Sequence, residues 1–217
     1  MNQFERLFFF MIKPWMILGF FGLMAVSLGV LDRPIAEYFN RVDTKDSLFI
    51  LNGLTTLGIS VLYLVIFLIL ALFFRYLYCN KTWELRMWFL WACVLIPNSI
   101  ALVLKVILGR ARPILWFNEH LYGFYGMKFH TAYWSCPSGH TTTAMSLAIA
   151  LSMIWPRYIY GFLAVGLSVA VSRVMLAQHY FSDVVATSYL VVLELGLLLL
   201  WLRRKKSGFV EQLRVSG

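Results

Sequence analysis

An all-α, polytopic membrane protein is predicted for this chain by three features: 61% of its 217 residues are hydrophobic, only 13% are charged, and the apolar residues fall in continuous runs. A soluble domain carries nearer ~25% charged and ~45–50% apolar residues. Alternating apolar residues would have indicated a transmembrane barrel, and lipid leaves an open backbone without partners, so the spans are helices. The apolar content also excludes disorder and any large extramembrane domain. The chain reads as a single membrane domain covering residues 1–217.

Six apolar stretches can be marked, each bounded by charge, proline or aromatic residues: Trp15 to Leu31, Leu54 to Phe74, Met87 to Leu104, Thr141 to Trp155, Tyr158 to Leu176, and Val184 to Leu202. They predict a bundle of six transmembrane helices. The fourth is short for ~30 Å of hydrocarbon and must tilt little or begin below the interface. The first has an alternative reading as a signal peptide, with Lys13 before it and Ala25-Val26-Ser27 as a cleavage site, but its apolar run continues past Ser27 to Leu31.

Lys and Arg outnumber Asp and Glu by 19 to 10, and their placement on alternate sides of the spans orients the bundle. Arg6, Lys13, Arg75, Lys81, Arg86, Arg157, Arg214 and the run Arg203 to Lys206 fall on one side, which makes eleven against eight on the other. Both termini are therefore expected in the cytoplasm of an inner (plasma) membrane, with anionic lipid headgroups as partners for this charge and no nucleic acid. Cys79, Cys93 and Cys136 are too few and too scattered for a disulfide framework or a thiolate site. Cys136 is expected to be reachable from the outer face and Cys79 from the inner one.

Polar residues concentrate in three segments that this topology brings to the extracytoplasmic interface: Lys105 to Pro113, Pro137-Ser138-Gly139-His140, and Ser172 to Asp183. The first supplies Lys105 and Arg112, seven residues apart and on one face if the helix continues that far. The second places Ser138 and Gly139 directly before an apolar helix, whose free N–H groups and dipole make an anion cradle. The third adds Arg173, which can grip phosphate oxygens with two parallel bonds, and His179 with Asp183 four residues on, close enough to meet across one helical turn. Three cations, a helix start, two histidines and a carboxylate suit a phosphoryl group, whose charge spreads over equatorial oxygens in the transition state. One histidine would attack phosphorus and the other protonate the leaving oxygen.

These segments read as K-x6-RP, PSGH and SR-x5-H-x3-D, and with every signature position filled the chain resembles the type 2 phosphatidic acid phosphatase (PAP2) superfamily. The signatures lie in the family's order between residues 105 and 183. The resemblance implies a metal-independent, cofactor-free lipid phosphate phosphatase that forms a phosphohistidine on His179, oriented by Asp183. By the same carry-over His140 is the general acid, and Lys105, Arg112, Ser138, Gly139 and Arg173 bind phosphate oxygens. The substrate it implies is a lipid phosphate or diphosphate at the outer face. Undecaprenyl diphosphate is the first expectation, with phosphatidylglycerophosphate or lipid A phosphate second and phosphotransfer to an acceptor as a variant of the same chemistry. The sequence does not specify an oligomeric state.

Plainer readings stand beside these. Lys105 and Arg112 also read as snorkelling helix ends, and Arg173 with Asp183 as a structural ion pair. A zinc reading of the four histidines lacks any HExxH or Cys/His ligand spacing. His120 and His130 carry no signature. Glu194, in the middle of the last stretch, either hydrogen-bonds in neutral form or marks a polar path, and Asn98 is expected to bond between helices. The aromatic loop from Ile114 to Cys136 is an interfacial anchor or a lid.

Overall fold

A computed structural model describes residues 3–42, 45–205, 208, 212 and 213, with the backbone alone for 45–50. The described residues form ten α-helices and no strand. The N-terminal part comprises α1 (Gln3–Met11), α2 (Pro14–Val26), which runs through a π-helical turn (Ser27–Leu31) into α3 (Asp32–Arg41), and α4 (Lys45–Thr56). Then follow α5 (Ser60–Tyr76), α6 (Lys81–Leu108), the short α7 (Pro113–Glu119), α8 (Gly139–Ile154), α9 (Ile159–Met175) and α10 (Phe181–Lys205).

Four of these rods are long and apolar enough to cross a membrane: Pro14–Arg41, Lys81–Leu108, Pro156–Met175 and Phe181–Lys205. Two of the six expected spans fall short of that measure. The stretch expected from Leu54 to Phe74 is interrupted after Thr56, where the chain turns before α5 begins at Ser60, leaving an apolar helix of 17 residues. Gly58 stands in that turn, beside the end of α4.

The other is α8, 16 residues long and less apolar because it meets almost no lipid. It packs against α6, α9 and α10, and twelve of its residues are buried, among them Thr141, Thr142, Thr143, Ala144, Ser146, Ala148, Ala150 and Ser152. Small side chains let neighbouring helices approach closely, which is how helices associate where lipid removes the usual hydrophobic drive. Gly166 of α9 lies so near that a Cβ there would sit 3.1 Å from both Ala148 Cβ and Met145 Sδ. The outer helices show the reverse pattern, with Leu18, Phe21, Val61, Ile69 and Val103 exposed and available to lipid.

The helix ends follow local chemistry. Asn80 caps α6 by accepting hydrogen bonds from the N–H groups of Thr82 and Trp83, and Gly109 ends it in the left-handed conformation, φ 53°. A Cβ at Gly109 would lie 1.7 Å from the Gly126 carbonyl oxygen, so only glycine lets the following loop fold back there. At the opposite end of the bundle, Phe8 of α1 fills the space over Gly196, and Arg203 pairs with Glu5 at 2.6 Å. Glu194 has both carboxylate oxygens buried with no hydrogen-bond partner among the described residues.

Replacing Gly166 by valine is expected to overpack the α8–α9 seam and cost roughly 1–3 kcal/mol. The melting temperature of the purified protein in detergent should fall by several degrees, whereas Val165→Leu on the lipid-facing side of α9 should leave it nearly unchanged.

Candidate active site

Three sequence segments meet at one cavity of about 650 Å³, lined by Lys105, Arg112, Gly139, His140, Arg173, Gln178 and His179, together with Asn98, Ser99 and apolar residues of α5 and α6. Among the described residues no carboxylate lines this cavity, so there three cations face one space without a neutralising partner on its wall. The groups arrive by different routes. Lys105 stands in the last turn of α6, but that helix ends at Leu108, so Arg112 is not on its face as the seven-residue spacing suggested. Arg112 instead reaches the cavity because the chain reverses at Gly109 and is pinned by Arg112 N–H donating to the Ala132 carbonyl at 2.9 Å.

α8 begins at the cavity. Ser138 is its N-cap: the hydroxyl accepts from Thr141 Oγ1 at 3.0 Å, and the Ser138 N–H donates to Thr187 Oγ1 at 2.9 Å. Ser138 is fully buried and absent from the cavity wall, so its side chain serves the cap, whereas the first-turn positions Gly139 and His140 do line the cavity. Their N–H groups have no carbonyl one turn back within the helix. The Lys105 ammonium sits over this helix start, 3.0 Å from where a Cβ of Gly139 would stand.

His179 lies in the turn between α9 and α10, not within a helix. Its Nδ1 is 2.6 Å from the Ser135 carbonyl oxygen. A carbonyl only accepts, so the bond assigns the proton to Nδ1 and leaves the Nε2 lone pair free. Asp183 Oδ2 is 3.8 Å from Nδ1, beyond hydrogen-bond reach, so Asp183 acts on this ring through its charge and Ser135 orients it. Burial pushes His179 below the usual imidazole range, to about 4, with Asp183 offsetting part of that and Arg112 and Arg173 adding to it. The ring is neutral at pH 7.

The expected alternative of an Arg173–Asp183 ion pair does not form. Arg173 donates instead to Thr55 Oγ1 of α4 at 3.2 Å. Asp183 accepts from Arg110, from Ser135 Oγ at 2.6 Å and from the Tyr180 N–H at 2.9 Å, the last a capping interaction at the start of α10. Sequence reasoning missed Arg110, Asp32, Ser135 and the Thr55 to Ser60 turn. Arg110 left a trace as an extra cation two positions before Arg112, but nothing local marked Asp32 or Thr55, which come from distant segments.

His120 and His130 do not line the cavity; His130 Nδ1 accepts from the Ala132 N–H at 3.3 Å. Asn98 accepts from Thr143 Oγ1 at 3.1 Å, the expected interhelical bond. Cys136 is buried and its thiol is pushed up by that burial, so it is a poor target for thiol reagents, contrary to expectation; Cys79 is exposed. Among the described residues no group of three or more His, Cys, Asp or Glu is placed to hold a metal ion.

Residues 86–207, more than half of the chain and the part that carries most of this cavity, match the model of the PAP2 superfamily, and the chain belongs to that family. Two curated relatives are each 36% identical over 98 residues: lipid A 1-phosphatases of Rhizobium etli and Rhizobium johnstonii. The match covers 45% of this chain and 42% and 40% of those proteins, respectively. No solved structure matches.

The turn after α4 presses on His140. A Cβ at Gly58 would lie 2.7 Å from His140 Cβ and 2.9 Å from its Cα, so Gly58→Ala must displace the helix start or the turn. Since misplacing a reacting group by ~1 Å can cost ~10²-fold, turnover should drop at least about tenfold while the protein still elutes as a single species, and Gly53→Ala, which has open space, should be silent.

Proposed function

We propose that this protein is a membrane phosphatase that removes phosphate from a lipid through a phosphohistidine on His179. One observation carries the reading: Lys105, Arg112 and Arg173 share a cavity with His179, whose Nδ1 is bonded to a carbonyl so that Nε2 is left to attack, and no carboxylate is among the described residues of its wall. Such a cavity binds the dianionic phosphate and stabilises the trigonal-bipyramidal transition state, where added charge sits on the equatorial oxygens. His179 Nε2 attacks phosphorus as the bond to the lipid oxygen breaks, and His140 protonates that oxygen as it leaves. Water, deprotonated by His140, then attacks the phosphohistidine, releasing inorganic phosphate and restoring His179. Gly139 and His140 offer N–H groups to the phosphate, and Ser138 contributes by capping their helix.

The relatives' name favours a lipid A 1-phosphate as substrate, and the first expectation of undecaprenyl diphosphate draws no support from them. The six-span topology remains part of the proposal, with α5 and α8 as the two shorter crossings. It places both termini in the cytoplasm and the cavity at the outer face of the inner membrane, where Lys and Arg are sparse once those of the cavity are set aside.

His179→Ala should abolish phosphate release from lipid A micelles. His140→Ala should lose on the order of 10²–10⁴ in rate and recover part of it with a nitrophenyl leaving group. Full activity in His179→Ala would overturn the mechanism. For topology, Phe129 is 77% exposed on the aromatic loop. In variants that each keep a single cysteine, an impermeant maleimide applied to intact spheroplasts should modify the Phe129→Cys protein and spare the one that retains only Cys79; the reverse would place the cavity in the cytoplasm.

A further inference from the structure

A guanidinium fully out of solvent is costly unless its charge is met and its donors are bonded. Arg110 is such a group, 0% exposed, and it does not line the cavity. One amino group binds Asp183 Oδ1 and Ser182 Oγ, the other binds Asp32 Oδ2 at 2.6 Å, and the rings of Tyr180 and Phe124 stand 5.0 and 5.1 Å from its centre. Asp32, at the start of α3, is itself 1% exposed and accepts further bonds from the Ser182 N–H at 2.9 Å and Tyr122 OH at 3.0 Å. The cluster therefore joins α3, the loop after α6 and α10 immediately behind His179.

We infer that Arg110, anchored by Asp32, is a positioning residue for the reaction: it fixes the Asp183 carboxylate behind His179 and cancels enough of its charge to keep the imidazole unprotonated and nucleophilic. Asp183 Oδ1 is turned onto Arg110, and Oδ2 is taken by Ser135 Oγ and the Tyr180 N–H, so no Asp183 oxygen accepts a hydrogen bond from the ring. A bare carboxylate 3.8 Å away would draw a proton onto His179 and occupy the attacking lone pair. On the cavity side Arg112 from the loop and Arg173 from α9 oppose protonation of the ring, and His140 from α8 and Lys105 from α6 line the same cavity. Asp32 lies outside residues 86–207, so the positioning machinery extends beyond the part of the chain that matches the family.

The inference rests on His179 being the nucleophile, and its test is separable from that reading. The full chain, labelled with ring-¹³C histidine and held in detergent micelles, is titrated by NMR, with the His179 signal identified by its loss in His179→Ala. In Arg110→Gln the protonation midpoint of His179 should rise by about one unit or more, while Arg110→Lys should stay within a few tenths of the parent and release phosphate at least tenfold more slowly from lipid A micelles. An unchanged or lower midpoint in Arg110→Gln overturns the inference. If Arg110→Gln is not recovered as monodisperse protein, Asp32→Asn replaces it: Arg110 then settles wholly on Asp183 and the midpoint falls by a few tenths, and a midpoint that stays or rises overturns the inference. The titration reads His179 whether or not phosphate is released, so an inactive parent protein would defeat the proposed function without deciding this one.

Discussion

Three cations that share one cavity repel each other, and much of the fold is arranged to hold Lys105, Arg112 and Arg173 together with no carboxylate among the described residues of the wall. Each is fixed by something other than an opposite charge on the cavity wall. Arg173 is held by a neutral hydroxyl, Thr55; Lys105 rides on the rigid end of α6 over the start of α8; Arg112 is placed by backbone bonds that return the loop to α6. Repulsion among these cations would be relieved by an anion, which is what the proposed phosphate substrate supplies.

That requirement explains why the carboxylates lie behind the histidine and not beside the cations. Asp183 and Asp32 are both fully enclosed and both spent on Arg110 and on neutral donors, which keeps negative charge within a few ångströms of His179 yet off the cavity wall. The price in stability of burying three ionised groups is offset by saturating nearly all of their hydrogen bonds, the condition under which a buried ion cluster persists. The π-helical turn before Asp32 and the left-handed turn at Gly109 are the local backbone devices that bring its parts from opposite ends of the sequence.

What the sequence made legible was chemistry with a local pattern. The membrane class followed from composition, and the residues that converge on the cavity were found because each of the three segments carries its polar groups within a dozen positions. Long-range supports left no such pattern: Asp32 sits 78 residues from Arg110, and Thr55 is 118 from Arg173. Spacing also misled where helical continuity was assumed, since α6 stops at Leu108 before Arg112, and His179 precedes α10, so neither pair meets on a helix face. The hydrophobic run from Leu54 concealed a turn, because Leu57 and Ile59 there are as apolar as the helix that follows, and only Gly58 between them hinted at it.

The proposed reaction requires a covalent phosphate on His179, and that intermediate can be trapped. Protein mixed for milliseconds with lipid A carrying a ³²P-labelled 1-phosphate, quenched in alkali and digested, should yield one labelled peptide containing His179. Its label should be stable to base, released by acid, and formed at a rate no slower than turnover, with none in His179→Ala. Label on another residue, or phosphate release at the parent rate with no bound label at any time, would exclude His179 as the nucleophile.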